Sequence, residues 1–164
     1  MLRMKWYTLI LQGIPETVAA TAVVFALLRL GLNWRLILPV GVAEGVAAYL
    51  VRMLPISFGV HTVLLMFVLM GLVRLATGAD MVSIVRAVLM VNVVIPVLEL
   101  LGTGSLFKLF HTSYSEVIGK WYAPFFGWPH VIALYALAFG LDRRNRRRKE
   151  ASERAPDDSG GPHR

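Results

Sequence analysis

Long apolar stretches, separated by short groups of turn-forming residues, dominate the first 141 positions of the chain. A helix that crosses a bilayer needs about 20 largely apolar residues, with about 17–25 tolerated. Stretches of roughly this length occur five times, and glycine, proline or polar residues mark the turns between them. The pattern predicts five membrane-spanning helices, at residues 14–30, 36–54, 60–75, 82–101 and 121–141.

The stretch between the fourth and fifth predicted spans has a different pattern. The group Gly-Thr-Gly-Ser at 102–105 is expected to end the fourth span, because two glycines disfavour a continuous helix. In residues 106–120, apolar side chains such as Phe107, Phe110 and Tyr114 recur at helical spacing among polar ones. This spacing predicts an amphipathic helix that lies at the membrane surface.

Composition supports a membrane protein and sets its tail apart. Hydrophobic residues make up 57% of the 164 residues and charged residues only 16%, whereas soluble domains are about 45–50% apolar and about 25% charged. Of the 27 charged residues, 13 lie in residues 142–164, for which we expect disorder. The predicted fold is an all-α integral membrane protein: a five-helix transmembrane bundle (1–141) with one interfacial helix and a disordered basic C-terminal tail.

The distribution of Lys and Arg predicts the orientation of the bundle. With five spans, 11 of these residues flank the side that holds the C-terminus and 5 flank the other side, and cytoplasmic flanks carry the excess. We therefore expect a multi-pass protein of the cell membrane with a cytoplasmic C-terminus. The basic run after the fifth span would anchor this topology and contact anionic lipid or a protein partner; it consists of Arg143, Arg144, Arg146, Arg147, Arg148 and Lys149.

The net charge of +7 does not by itself indicate nucleic-acid binding, because most of the excess lies in this one run beside an apolar segment. We expect the lipid bilayer as a partner, together with a cytoplasmic protein or a second copy of the chain, and no nucleic acid. The chain has no cysteine, which excludes disulfides, thiolate metal sites and a cysteine nucleophile.

Polar side chains at similar depth near the outer ends of the predicted spans suggest a ligand site. Such groups are costly in hydrocarbon and normally face other helices or water. A site open to the external side would bind a peptide, a small polar molecule, an ion or a proton, and its imidazoles could titrate near neutral pH. Alternatively, each group simply lies at the interface or satisfies a neighbour. The candidates are Glu16, Arg52, His61, Glu99 and His130.

Glu44 falls near the middle of the second predicted span, far from either interface. It is expected to face the bundle interior or an oligomer interface, with Asn92 of the fourth span at the same depth as a hydrogen-bond partner. This intramembrane polar pair could be a structural pin or hold a functional carboxylate. Gly41, Gly45 and Ala48 form a small-residue face beside Glu44 that allows close helix packing.

Motifs for catalysis or cofactor binding are missing from the sequence. There is no Walker loop, GxGxxG, GxSxG or HExxH, so we assign no catalytic residue, cofactor or metal. Zinc held by one carboxylate or imidazole from each of four helices is chemically possible, with Glu16, His61, Glu99 and His130 as the ligands. That alternative lacks any local ligand spacing, and an intramembrane hydrolase with dispersed groups also stays open.

Two short stretches carry a resemblance to a known family. Residues 11–16, Leu-Gln-Gly-Ile-Pro-Glu, and residues 54–62, Leu-Pro-Ile-Ser-Phe-Gly-Val-His-Thr, resemble the membrane-embedded N-terminal region of Gram-positive sensor histidine kinases and related small stand-alone membrane proteins. The resemblance implies a sensory membrane domain over residues 1–141. The dimerisation helix and ATP-binding domain of such kinases have no counterpart here, so phosphotransfer by this chain alone is not implied.

Three functions follow as expectations. The first is a sensor or regulatory component that binds an external ligand and acts through a cytoplasmic partner. The second is a small substrate-binding subunit of a membrane transporter, with a docking face formed by Ala19, Ala20, Ala22 and Ala26. The third is an intramembrane enzyme that uses Glu44 or the outer carboxylates.

Overall fold

The computed structural model describes residues 9–54, 58–109 and 127–154, and within these ranges all regular structure is helical. A π-helical turn, Leu9–Gly13, leads directly into the first α-helix. The α-helices are α1 (Ile14–Leu27), α2 (Trp34–Met53), α3 (Phe58–Thr77), α4 (Met81–Leu109) and α5 (Trp128–Arg154).

Local sequence accounts for the short connections. Pro15 occupies the first turn of α1, where its missing N–H costs nothing, and Gly31 takes a positive φ of 75° in the loop that follows. The Asn33 side chain accepts a hydrogen bond from the Arg35 amide and caps α2. Gly78, with a φ of 65°, ends α3.

Contacts between the helices define an up-and-down bundle. Gly41 and Gly45 of α2 face Val18 and Thr17 of α1, so these two helices are antiparallel. The start of α5 meets the start of α1, and Asn145 of α5 meets the end of α1. Helices α1, α3 and α5 therefore run in one direction and α2 and α4 in the other, as the five-span topology requires.

Helix α1 is the centre of the bundle. It packs against α2, α4 and α5, and every residue from Val18 to Ala26 is buried. A helix that is apolar all round and covered on all sides belongs to the interior of a bundle. The predicted docking face of small residues on this helix was therefore wrong, because its four alanines are 0–6% exposed inside the chain itself.

The outer surfaces of α3 and α4 are strongly apolar. Leu75 is 86% exposed, and Phe67, Val93, Leu100 and Leu101 are also exposed. Contiguous apolar surface of this kind is unusual on a soluble monomer and typical of a surface that faces lipid or a partner. Among the described residues, four helical segments are long and apolar enough to cross a membrane: Ile10–Leu27, Trp34–Met53, Gly59–Thr77 and Met81–Gly102.

The fifth predicted span is shorter in its described part than a bilayer requires. Within α5 only residues 128–141 are apolar before Asp142, and 14 helical residues extend about 21 Å against a hydrocarbon thickness of about 30 Å. Residues 121–126 lie outside the described residues. The fifth span is thus still a prediction, whereas the four others have the length and composition for it.

The helix break predicted at residues 102–105 was wrong, although the apolar span itself ends at Gly102, close to the predicted bound. Helix α4 continues through this group to Leu109. A Cβ on Gly102 would lie 3.2 Å from Pro129 Cβ and 3.3 Å from the backbone nitrogen of His130. Here glycine allows α5 to approach α4 closely rather than forming a turn. Residues 106–109 belong to α4, and the rest of the predicted interfacial helix, 110–120, lies outside the described residues.

The prediction of disorder from residue 142 onward was also wrong for residues 142–154, which continue α5 without a break. Arg, Lys, Glu and Ala are good helix formers, and this segment contains no glycine or proline. The Arg146 side chain bonds Asp142 one turn earlier at 2.8 Å. Residues 155–164 lie outside the described residues.

Candidate functional site

A cavity of about 180 Å³ lies between α1, α2, α3 and α4. Its polar wall comes from α1 and α2, together with Asn92 of α4, and its apolar wall comes mainly from α3 and α4. The exposed side chains of Arg52 and Thr62 line it as well, so the cavity reaches the surface. We call it the ligand cavity; it is lined by Gly13, Glu16, Thr17, Ala20, Glu44, Gly45, Ala48, Tyr49, Arg52, Thr62, Leu65, Met66, Leu69, Val91, Asn92 and Ile95.

The ligand cavity lies at one end of the bundle, which we call the cavity end. It extends from Glu44, halfway along α2, to Glu16 and Arg52 at the helix ends. The opposite end, which we call the basic end, carries the last turns of α5 with their arginines. The two ends are thus distinguished by their charge.

Glu44 is the deepest carboxylate of the cavity wall. Its side chain is only 6% exposed, and its Oε2 atom has no hydrogen-bond partner among the described residues. A buried carboxylate normally requires charge pairing or several hydrogen bonds. Glu44 therefore has an unfilled capacity for a cation, a proton or a hydrogen-bond donor.

Asn92 lines the same cavity as Glu44, but the structure does not join the two side chains by a hydrogen bond. The Asn92 amide instead donates to the Val88 carbonyl oxygen of its own helix at 2.9 Å. This contact lies within one turn of α4 and does not tie α4 to α2. The expected structural pin between Glu44 and Asn92 is absent, although both residues face one space.

Glu16 connects the cavity to α5. Its carboxylate is 26% exposed, lines the cavity, and has its Oε2 atom 3.7 Å from His130 Nε2. His130 is only 1% exposed, and neither ring nitrogen has a hydrogen-bond partner within the described ranges. The imidazole thus lies behind the cavity wall, and its Nε2 atom is within ion-pair distance of the Glu16 carboxylate.

His61 and Glu99 lie at the cavity end but do not line the cavity. His61 Nε2 donates to the Val51 carbonyl oxygen at 2.7 Å and ties α3 to the last turn of α2. Glu99 is exposed on the outer face of α4. Of the five predicted ligand-binding candidates, the structure brings Glu16 and Arg52 to the cavity wall.

The small-residue face of α2 forms the contact with α1. A Cβ on Gly41 would lie 2.6 Å from Val18 Cα, closer than real Cβ atoms come to backbone, and one on Gly45 would lie 3.0 Å from Thr17 Oγ1. The Thr17 hydroxyl donates to the Gly41 carbonyl oxygen at 2.7 Å. Ala48, one turn further along α2, lines the ligand cavity.

At the basic end the polar groups bind one another or the backbone. The Asn145 amide donates to the Ala26 carbonyl oxygen at 2.7 Å, which also accepts the Arg29 amide at 3.1 Å in the last turn of α1. The Arg74 guanidinium donates to the Gly78 carbonyl oxygen at 2.7 Å and also to that of Ala79. The Asp80 carboxylate accepts from the Ser83 amide at 3.0 Å and caps α4.

The side chains of the basic run lie on two different sides of α5. Arg146 turns toward Asp142, whereas four arginines at helical spacing line a shallow surface groove. Because Asn145 fixes the rotation of α5 against α1, this groove points away from the bundle. The groove arginines are Arg143, Arg144, Arg147 and Arg148.

The four-helix zinc set does not assemble. His61 is held by Val51, Glu99 is exposed, and only Glu16 and His130 approach each other. Over residues 9–54, 58–109 and 127–154, no group of three or more His, Cys, Asp or Glu side chains is arranged to hold a metal ion.

Three polar residues of the cavity wall escaped the sequence analysis: Thr17, Tyr49 and Thr62. A signal was present for part of this wall. Glu44, Ala48 and Arg52 follow one another at intervals of four along α2, and this spacing places them on one helix face. Thr62 lies beside His61 and has no distinguishing pattern of its own.

Comparison with known proteins finds no matching family model, no matching curated protein and no matching solved structure.

Proposed function

We propose that this chain is a multi-pass membrane protein that acts as a sensor or regulatory component. It binds a small ligand from the external side in the ligand cavity and acts on a cytoplasmic partner at the basic end. The observation that carries this proposal is the cavity itself: a surface-connected space at the opposite end from the arginines of α5, with a buried carboxylate that has no hydrogen-bond partner among the described residues.

Helix α5 supplies a route between the two ends. His130, near its start, lies 3.7 Å from Glu16 of the cavity wall, and the same uninterrupted helix carries the basic groove 13 residues further on, at Arg143. A ligand that changes the charge or position of Glu16 acts on His130, and a rigid helix transmits such a shift along its axis. This arrangement supports a signalling role of the kind that the resemblance to sensor kinases implies.

Excess Lys and Arg on cytoplasmic flanks supports a cytoplasmic basic end and an external cavity end. The absence of native cysteine permits a direct test with single thiols. In the Ser105→Cys variant the exposed thiol lies at the cavity end, and in the Lys149→Cys variant it lies at the basic end. We expect a membrane-impermeant maleimide to label the first thiol in intact cells and the second only after permeabilisation.

The unsubstituted chain is the control, since it has no thiol to label. Labelling of both variants in intact cells would contradict the proposed orientation and remove the external site. The partner is tested separately, by cross-linking and affinity purification from the native host. A variant with the four groove arginines changed to Gln should lose a cytoplasmic protein that the unsubstituted chain retains. Recovery of the same proteins with both chains would contradict action through this groove.

A further inference from the structure

The ligand cavity combines three features that together narrow the class of its ligand: a buried carboxylate, an apolar wall and a limited volume. The inference below rests on the proposed function, because it names the ligand of the same site. Within the described residues the cavity wall holds two carboxylates, Glu16 and Glu44, and one guanidinium, Arg52. The formal charge of the wall is therefore −2 + 1 = −1 when both carboxylates are ionised.

Glu44 determines the sign of the ligand. Glu44 is 6% exposed and therefore 94% buried, and its Oε2 atom has no hydrogen-bond partner among the residues that the structure describes. An ionised carboxylate in such surroundings is strongly unfavourable unless a cation or several donors pair with it. A monovalent cation beside Glu44 neutralises this group and brings the wall to zero net charge.

The opposite wall determines the kind of cation. Leu65, Met66 and Leu69 of α3 and Val91 and Ile95 of α4 face the carboxylate side. A bare metal ion needs oxygen ligands around it and gains nothing from an apolar wall. An organic cation with an apolar body gains from both walls, because the charged group pairs with Glu44 while the body leaves water.

The volume sets the size of the molecule. An apolar cavity of about 150 Å³ in another protein holds benzene, and this cavity has about 180 Å³. We propose that the ligand cavity binds a small primary amine, an ammonium group on a compact apolar body, with the ammonium paired to Glu44. The Asn92 side-chain oxygen, whose amide nitrogen is already engaged with Val88, is available as a second acceptor.

Benzylamine is a suitable probe, and benzyl alcohol is its neutral counterpart of nearly the same shape. Binding of each is measured by isothermal titration calorimetry at neutral pH on the full chain in detergent micelles. We expect benzylamine to bind the unsubstituted chain at least tenfold more tightly than benzyl alcohol. Glu44→Gln should remove this difference by weakening the amine at least tenfold while leaving the alcohol unchanged. Glu99→Gln, which changes an exposed carboxylate outside the cavity, should bind both compounds as the unsubstituted chain does.

Equal affinity for amine and alcohol in the unsubstituted chain would overturn the proposal, and that comparison needs no variant. Unchanged amine binding in Glu44→Gln, or a loss of equal size in Glu99→Gln, would overturn it too. A third outcome is a heat of binding for sodium chloride, absent for potassium chloride and for benzylamine. That result would overturn the proposal and assign the cavity to an inorganic cation. None of these results alters the thiol labelling, so a wrong ligand class and a wrong function are separable.

Discussion

The two ends of the bundle differ in how their polar side chains are satisfied. At the basic end Asn145, Arg74 and Asp80 each bond a backbone group, and Asp142 pairs with Arg146. At the cavity end Glu44 Oε2 and both ring nitrogens of His130 are buried without a hydrogen bond in the described structure. Unsatisfied buried groups destabilise a fold, so their concentration at one end supports the ligand site that we propose there, whereas the satisfied groups of the other end stabilise the fold.

The largest effect on stability is expected at the close contact between α1 and α2, two helices that both run from one end of the bundle to the other. Leu in place of Gly41 would push its Cβ into the Val18 backbone, 2.6 Å away, and force the helices apart. We expect a loss of about 3 kcal/mol in the free energy of unfolding, measured by SDS titration in mixed micelles. Gly71→Leu is the matched control, because nothing lies within 4 Å of a Cβ there. A similar loss in both variants would show that the α1–α2 contact is not specially tight.

At the basic end, Asn145→Ala removes the donor to the Ala26 carbonyl oxygen. The carbonyl then keeps the Arg29 amide, at 3.1 Å, as a donor and loses one hydrogen bond, so we expect a loss of about 1 kcal/mol in the same SDS titration. Lys149→Ala, on the exposed part of the same helix, should change stability by less than about 0.5 kcal/mol. If the two substitutions cost the same, the basic end does not depend on its side-chain caps.

At the cavity end the expected sign is reversed. Glu44→Gln replaces a buried carboxylate, for which the described part of the chain supplies no hydrogen-bond donor to Oε2, with a neutral amide of the same shape. We expect no loss in the free energy of unfolding and a gain of up to about 1 kcal/mol in the absence of ligand, because the cost of burying the charge disappears. A loss larger than the one expected for Asn145→Ala would place Glu44 among the structural groups and cancel the contrast between the ends.

The smallest effect concerns Asp80, which is fully exposed. The Ser83 amide is the main cause that holds the pKa of this carboxyl below its ordinary value of 3.8. A depressed folded-state pKa contributes stability above the unfolded-state pKa, and this contribution is lost as the pH falls through the folded-state pKa. Asp80→Ala should lower the thermal midpoint slightly at neutral pH, and the difference should shrink as the pH falls below 3.8 and vanish in acid that protonates the carboxyl in the folded state. A difference that persists there would have another cause.

The succession of helices could be predicted from the sequence, because apolar length and turn residues determine it. The turns at Asn33 and Gly78 lie where the pattern places them. The pattern failed at Gly102, where glycine is required by a neighbouring helix and not by a turn. It failed again from Asp142 onward, because a charged, water-exposed segment has the same lack of apolar residues whether it is helical or disordered.

Part of the candidate site could be predicted from depth alone. Depth brought Glu16, Arg52 and His130 to one level, and the structure keeps them at one end. Depth does not tell which side of each helix faces its neighbours, so Glu99 was grouped with residues that it does not contact. The spacing of Glu44, Ala48 and Arg52 at intervals of four was the missed signal, because it places the deep carboxylate and the outer guanidinium in one wall.

The complete burial of α1 also constrains the order of assembly. Helix α1 is synthesised before α2, α4 and α5, which cover it. Its alanines and valines therefore stay uncovered until those helices dock, and α5 is the last of the three to be synthesised. The covering of α1 consequently depends on the docking of α5, and a ribosome that stalls before residue 127 would leave the future centre of the bundle open to quality-control proteases.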